Sequence, residues 1–519
     1  MTEPHELAAR AAEKHVVVVG GGIGGLIAAR ECAKVGMRVT VLEASDAPGG
    51  AIRAAELDGV RVDAGAESFA TRGGHVRALL TELGIADRIV PPAPGGAWLA
   101  GIPGIGAAPL PVGGILGIPG NPFQPDVRRI LGWSGVWRAY LDRLRPPLTI
   151  GHQHSLGALV ASRMGRKVRD RLVAPVTTGV YSATPDDIDV DVAAPGLNAA
   201  LTRVGSLAGA VQALKEESAA RTVDRKPGAA VEGLDGGMTQ LVDALLRDLS
   251  TFRVEVRTVT PVRGIARQGD GWRLTVDAAP DAQDADAAPI DDALPAVDET
   301  APDAPTTSAS GTAAPVEDLL ADALVMAVDE RTARALLADT VPALAEASDA
   351  VAPEIEVVTL LLDAPALDAA PRGTGVLTVP GSSIAKALTH STAKWEWVRR
   401  AAGSRHVVRV SFGAQGEPAA TAVLDDEAAA DLARREASVL LGVDIAPAAV
   451  VAAHRARYVQ AQPASVIGSG ERRDAARAAV RAVPGLAAVG AWLAGTGLAQ
   501  VVPDAVDETD RLRRALLWD

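Results

Sequence analysis

Glycines at positions 20, 22 and 25 and a glutamate at position 43 are the residues of this 519-residue chain that most directly imply chemistry. In the run Gly20-Gly21-Gly22-Ile23-Gly24-Gly25 the first glycine permits a tight turn. The second lets backbone approach a diphosphate, and the third lets a helix pack on a strand. A helix starting there turns its unpaired N–H groups and positive dipole end toward the phosphates. Glu43, eighteen positions after Gly25, is placed to accept from a ribose hydroxyl. The pattern implies a bound dinucleotide. Alone, it does not separate FAD from NAD.

Those residues need elements to hold them. Val16 to Val19 reads as a strand buried on both faces, and the Ala-rich stretch to Val35 as a helix ended by Gly36. Arg38 to Leu42 is a second strand running into Glu43, completing half a Rossmann unit. Another glycine turn, Pro48-Gly49-Gly50, is followed by Arg53, then by the turn Asp63 to Ser68. A helical pattern from His75 to Leu83 stops at Gly84. Residues 95–125, rich in Gly and Pro, read as an extended loop, and Val127 to Ser218 as mostly helical, interrupted at Ala174 to Tyr181. A helix follows Gly236-Gly237-Met238, then β-like stretches at Thr258–Ile265 and Trp272–Val276 and a buried strand at Ala323–Val328. Glu354–Asp363, Thr374–Pro380 and His406–Phe412 look like strands of a separate sheet. The turn Gly495 to Leu498 precedes a final helix from about Pro503.

Composition excludes several classes. The length suits two or three domains, and 48% hydrophobic with 22% charged residues is a globular balance. The first fourteen residues lack the apolar core of a secretory signal, and no run of eighteen apolar residues occurs. A spanning helix is therefore not expected, whereas peripheral membrane contact stays open. The single cysteine, Cys32, suits a reducing cytoplasm and rules out a redox disulfide relay. No HExxH is present, and His152-x-His154 reads as loop polarity, so no metal is expected. Eleven carboxylates fall between Asp277 and Asp318 with no basic residue between Arg273 and Arg331. Within this stretch, 278–316 reads as a disordered acidic insertion, and removing all eleven charges of 277–318 from the net −13 leaves about −2. Nucleic-acid binding has no support, because no basic stripe with interleaved aromatics appears. A second GxGxxG is also absent, so one dinucleotide without thiols suits a flavin reoxidised by a small acceptor.

The string His15 to Arg53, with Glu43 and Pro48-Gly49-Gly50, resembles the FAD-binding unit of the flavin amine oxidase and protoporphyrinogen oxidase superfamily. Four further stretches resemble its porphyrinogen-oxidising branch: DAGAESFATR (63–72), APVTTGVYSATPDDIDVDVAAP (174–195), LDGGMTQL (234–241) and GTGVLTVPGSSIAKALTHSTAKWEW (373–397). The resemblance is closest to the actinobacterial, coproporphyrinogen-oxidising type. One departure is the last glycine turn, Gly490 to Leu498, where three residues precede Val502-Pro503-Asp504 in place of a direct I-P-D-C.

The resemblance implies a multidomain α/β (α+β) fold, with a Rossmann-like FAD domain, a substrate-binding sheet domain and a mostly helical domain. The FAD domain is expected from 1–94, 219–345 and 451–519, the helical domain from 95–218, which could touch lipid or substrate, and the substrate domain from 346–450. It implies FAD contacts at Gly20, Gly21, Gly22, Ile23, Gly24, Gly25, Glu43, Ala44, Gly50, Ala51, Gly65, Ala66, Glu67, Ser68, Val262, Trp395, Thr496, Gly497 and Leu498. The alternative for Trp395 is ordinary core packing. Arg72 and Gly179 are substrate candidates, set against a solvated arginine and a simple turn; Tyr181 could only pack, and Lys394 could be a surface charge. The implied reaction is oxidation of coproporphyrinogen III to coproporphyrin III in haem biosynthesis. It removes six electrons as three hydrides passed to flavin N5, with oxygen reduced to hydrogen peroxide, and it needs no catalytic side chain beyond the cofactor. Oxygen and the tetrapyrrole are the implied partners, with transient contact with the next haem-pathway enzyme left open. Protoporphyrinogen IX oxidation, an amine oxidase or desaturase on the same fold, and a flavin-bound tetrapyrrole carrier remain alternatives.

Overall fold

An unbroken apolar run makes a strand that must be covered on both faces, and His15–Val19 (β1) is buried at every position. The chain then forms Ile23–Ala33 (α1), turns at Gly36 with φ +93°, and returns as Arg38–Leu42 (β2), parallel to β1. Next come Ala97–Ile102 (β3), Gly106–Pro109 (β4), Pro125–Tyr140 (α2) and Ala174–Tyr181 (α3). Glu255–Arg257 (β5), Ala323–Met326 (β6), Glu354–Leu362 (β7), Gly375–Thr378 (β8) and Ala387–His390 (β9) follow. The last elements used below are His406–Phe412 (β10), Asp426–Leu441 (α4), Val450–Val459 (β11), Leu486–Ala488 (β12) and Leu498–Trp518 (α5). This computed structural model describes residues 4–145, 154–220, 231–278, 316–345, 352–459 and 466–518. All but the flanks of the acidic stretch lies outside the described residues, as does His152.

Two sheets dominate. The first is parallel, in the order β5-β2-β1-β6-β12. β1 sits at its centre with the chain leaving toward opposite sides, so a crevice opens at its carboxyl end. α1 and α5 cover one face, where Leu26 and Ile27 meet Val502, Ala505 and Leu512; Cys32 is fully buried there. The second sheet runs β11-β7-β10-β9-β8-β3-β4 and is antiparallel except where β8 meets β3. α4 seals one face with Leu432, Leu440 and Leu441 on Val358, Leu360, Val410 and Phe412. The other face turns Leu361 and Val407 toward Trp395, Trp397 and the strand Val60–Asp63. A third core, including Leu156, Leu159, Val168, Leu172 and Leu207, is built by helices between residues 125 and 220. The mixed α/β multidomain class is as expected.

Several local expectations need correction. Residues 97–109, expected as loop, form the β3–β4 hairpin at the end of the second sheet. Pairing with β8, more than 250 residues away, supplies ladder bonds that no local pattern announces. Ala174–Tyr181, expected to break the helical region, is itself helix α3. Pro175 lies in its first turn, where a missing N–H matters least. The last helix starts at Leu498, and Pro503 sits inside it, so tertiary packing overrides the usual helix-breaking rule. The second sheet also takes strands from both sides of 346–450, namely β3, β4 and β11.

Candidate active site

The glycines at the mouth of the first sheet each answer to a contact. Gly20 has φ +106°, and a Cβ there would lie 2.5 Å from the Ala327 carbonyl oxygen. A Cβ on Gly25 would lie 2.1 Å from the Gly20 carbonyl oxygen, so nothing larger lets α1 reach the strand. Gly22 differs, because a Cβ there would meet no atom within 4 Å. It is the N-cap of α1, and no side chain caps that helix. Gly49 donates to the Gly21 carbonyl at 2.9 Å, and Gly50, with φ +61°, approaches the Gly22 Cα. On the far side Gly490 backs against Gly24, six residues before the Thr496–Leu498 turn that opens α5. An open, glycine-lined cradle at an uncapped helix N-terminus fits the diphosphate of a dinucleotide.

Glu43 stands at the end of β2. Its Oε2 accepts from the Gly21 N–H at 2.7 Å and its Oε1 from the Ser45 N–H at 2.8 Å. A carboxylate offers about four acceptor sites, so capacity remains for a ribose hydroxyl. Thr260 donates its N–H to the Glu43 carbonyl at 2.9 Å, which sets Val262 near this end of the crevice, and Ala44 is exposed beside it. Arg53 is a cation that the glycine pattern did not single out. Its guanidinium donates to Gly50 O at 3.2 Å and Ser45 Oγ at 2.8 Å, on the lip of the cradle. Its place three residues after Gly49-Gly50 was the available signal.

The loop Asp63–Ser68 is stitched to that lip. Ala64 donates to Arg53 O at 2.8 Å and Ala66 to Ala51 O at 3.0 Å. A Cβ on Gly65 would fall 1.9 Å from the Ala51 oxygen. Glu67 is an electrostatic knot: Lys394 pairs with Oε1, and Arg409 Nη1 donates to Oε2 at 3.0 Å. Burial pushes this carboxyl up, but the two cations outweigh it and hold it at about 2. Arg409 also donates to the Ala64 carbonyl at 3.0 Å. Four residues before Glu67, Asp63 behaves oppositely. Burial raises it to about 7, although Arg409 and the Met238 N–H, 2.8 Å from Oδ1, oppose the rise. Among the described residues, buried Arg409 Nε and the Tyr458 hydroxyl have no partner, and both belong to side chains beside the Gly65 turn. Neither Arg409 nor Tyr458 was flagged in the sequence, since each lies on a strand hundreds of residues from the loop it touches.

Other expected residues sort unevenly. Trp395 is 1% exposed, its ring edge packed against Gly233 and its face 5.1 Å from the Lys394 ammonium. It backs the Glu67 loop, and its indole Nε1 is buried with no partner among the described residues. Lys394 is the partner of Glu67, not a surface charge. Gly179 lies inside α3 and not in a turn, and a Cβ there would meet Leu377 of β8 at 2.6 Å. Arg72 is exposed and close enough to Tyr181 to oppose the burial that raises the tyrosine's pKa. His154, Asp189 and Asp191 gather within 4.8 Å at the surface, with Asp189 capping the short helix Val190–Ala193. Among the described residues no helix is long and apolar enough to cross a membrane.

The family model for flavin-containing amine oxidoreductases matches residues 23–293. A coproporphyrinogen III oxidase of Mycobacterium tuberculosis is 30% identical over 490 residues, covering 93% of this chain and 93% of that protein. A coproporphyrinogen III oxidase of Propionibacterium freudenreichii is 31% identical over 298 residues, covering 51% of this chain and 56% of that protein. A solved structure of a putative protoporphyrinogen oxidase from Exiguobacterium shares the fold, with TM-score 0.76, 22% identity, and 96% and 98% of the two chains covered.

Proposed function

Because the chain belongs to the flavin-containing amine oxidoreductase family, we propose that it is an FAD-dependent porphyrinogen oxidase acting on coproporphyrinogen III. The observation that supports this substrate is the 30% identity to the mycobacterial coproporphyrinogen III oxidase along 93% of both chains. Oxygen is the acceptor in this reading, hydrogen peroxide and coproporphyrin III are the products, and the cytoplasm is the compartment. The cofactor domain comprises 1–94, 219–345 and 451–519, with substrate and helical domains between, adjusted for β3, β4 and β11 in the second sheet.

In this reading Gly20 to Gly25, Ile23 included, would hold the diphosphate with Arg53 on the lip. Glu43 and Ala44 would meet the ribose, and Val262 the adenine. Gly50, Ala51 and the Gly65–Ser68 loop would follow the chain toward the flavin ring, with Trp395 and with Thr496, Gly497 and Leu498 bordering it. When bound, the flavin would supply a hydride acceptor. The chain's part is to fix that acceptor, shield it from water and grip the substrate's carboxylates. The guanidinium of Arg72 suits such a grip. Peripheral lipid contact fits α2 and its flank, where Trp133, Trp137 and Leu144 are exposed at 58%, 53% and 78% and Arg128 lies over Trp133.

Anaerobic mixing of the FAD-loaded protein with coproporphyrinogen III, protoporphyrinogen IX and a polyamine, separately, tests the reading. Coproporphyrinogen should bleach the flavin fastest, and oxygen should then release porphyrin fluorescence and peroxide. Fastest bleaching by protoporphyrinogen, or bleaching by the amine alone, would assign the chain to that chemistry instead. Tetrapyrrole binding with no bleaching would make it a carrier.

A further inference from the structure

Two lysines that flank β9 have opposite surroundings. Lys394 is neutralised by Glu67. Lys386, at the entry to β9, forms no ion pair with any carboxylate among the described residues. Its backbone is fixed: the N–H donates to Ser411 O at 2.9 Å, and the carbonyl accepts from Thr378 Oγ1 at 3.0 Å. The side chain is half-buried and reaches across to α3, donating to Ser182 Oγ at 2.7 Å. Ser182 ends that helix in the left-handed region, with φ +56°. The neighbouring acid, Glu436, is committed to Ser383 Oγ and to the Ala385 N–H at 3.0 Å. Burial pulls the Lys386 ammonium down to about 7.

Three features surround this cation. Tyr181 is adjacent to Ser182 and lies near Arg72, so two basic side chains flank the last turn of α3. Gln415, whose N–H donates to the Ser182 carbonyl at 2.9 Å, keeps its side-chain Oε1 buried with no partner among the described residues. Gly179, one turn earlier, presses α3 onto Leu377, so the lysine sits at a tight helix-to-sheet seam. A lysine serving only as a hydrogen-bond donor to a serine gains little, and its partial desolvation opposes the charge it carries. An incoming anion would change that balance, because a charge-assisted hydrogen bond is about twice as strong as a neutral one.

We infer that Lys386 anchors a carboxylate side arm of the substrate at the α3–β9 seam, with Arg72 on the other side of Tyr181. This rests on the porphyrinogen reading, whose substrate carries propionates. Lys386 is then a positioning residue that sets which way the macrocycle enters.

The test uses the FAD-loaded full chain and its Lys386→Met and Lys386→Arg variants. Turnover is measured with coproporphyrinogen III, and binding with coproporphyrin III and its tetramethyl ester. Lys386→Met should raise KM about tenfold to a hundredfold, the range of one lost charged hydrogen bond. Its kcat should fall less than about threefold, with ester binding and flavin retention unchanged and Lys386→Arg largely restoring KM. An unchanged KM, or equal loss of acid and ester binding, overturns the anchor while wild-type turnover keeps the porphyrinogen reading intact. No turnover by the wild type overturns both.

Discussion

The two ends of the crevice are built on different principles. At the nucleotide end, contact surfaces are backbone: Gly20, Gly22 and Gly25 with an uncapped helix, arranged within one βαβ unit. At the other end, the Asp63–Ser68 loop is fixed by side chains from a distant sheet, with Arg409 and Glu67 separated by 342 positions. The first end depends on the absence of side chains, and the second on their charge. At Gly20 and Gly25 the cradle has no room for an added atom, whereas the charge knot depends on every group it holds.

Three changes break or sharpen that contrast. The largest effect is expected from Gly25→Val, which drives atoms into the Gly20 carbonyl. Overpacking against backbone should cost about 3 kcal/mol or more and abolish flavin retention. A yellow variant with normal thermal stability would show that α1 does not need this approach. Next is Arg409→Met, which leaves Glu67 buried with Lys394 alone. Breaking a buried pair from one side costs about 3–5 kcal/mol, to be read by urea unfolding of the apo and FAD-loaded forms. A loss below 1 kcal/mol (about the worth of an exposed pair) would mean Lys394 suffices.

The smallest is a gain, from Asp63→Asn. A carboxyl raised from 3.8 to about 7 on folding binds more protons folded than unfolded, so its contribution to stability falls as pH rises between those values. Glu67 runs the other way: held at about 2 against 4.5, it contributes stability that is lost only as pH falls below 4.5. Asp63→Asn should therefore stabilise the protein at pH 8 by roughly 1–3 kcal/mol and hardly at all at pH 4. Equal shifts at both pH values would place the effect in packing instead of ionisation.

The same contrast explains what the sequence discloses. β1, α1, β2 and Glu43 are legible because strand burial, glycine spacing and the terminal acid all act within thirty residues. Arg409 is one arginine in an apolar strand, and its meaning appears only when β10 is laid over the Gly65 turn. The β3–β4 hairpin is hidden likewise, its pairing supplied by a strand near residue 375. Trp395 and Gly179 carry their motifs faithfully, yet the neighbours they pack on, Gly233 and Leu377, lie far off in sequence. A motif records that a residue is required, and only the neighbours say for what.

Cys32, buried near the C-terminal end of α1, has its thiol pushed up to about 12 by burial. A thiol so protonated and enclosed reacts only when the helix lifts from its sheet. Being the chain's single sulfhydryl, it is an intrinsic stopwatch for that breathing. The slow rate at which an alkylating reagent caps it times the lifting of α1 from its sheet, with no label introduced.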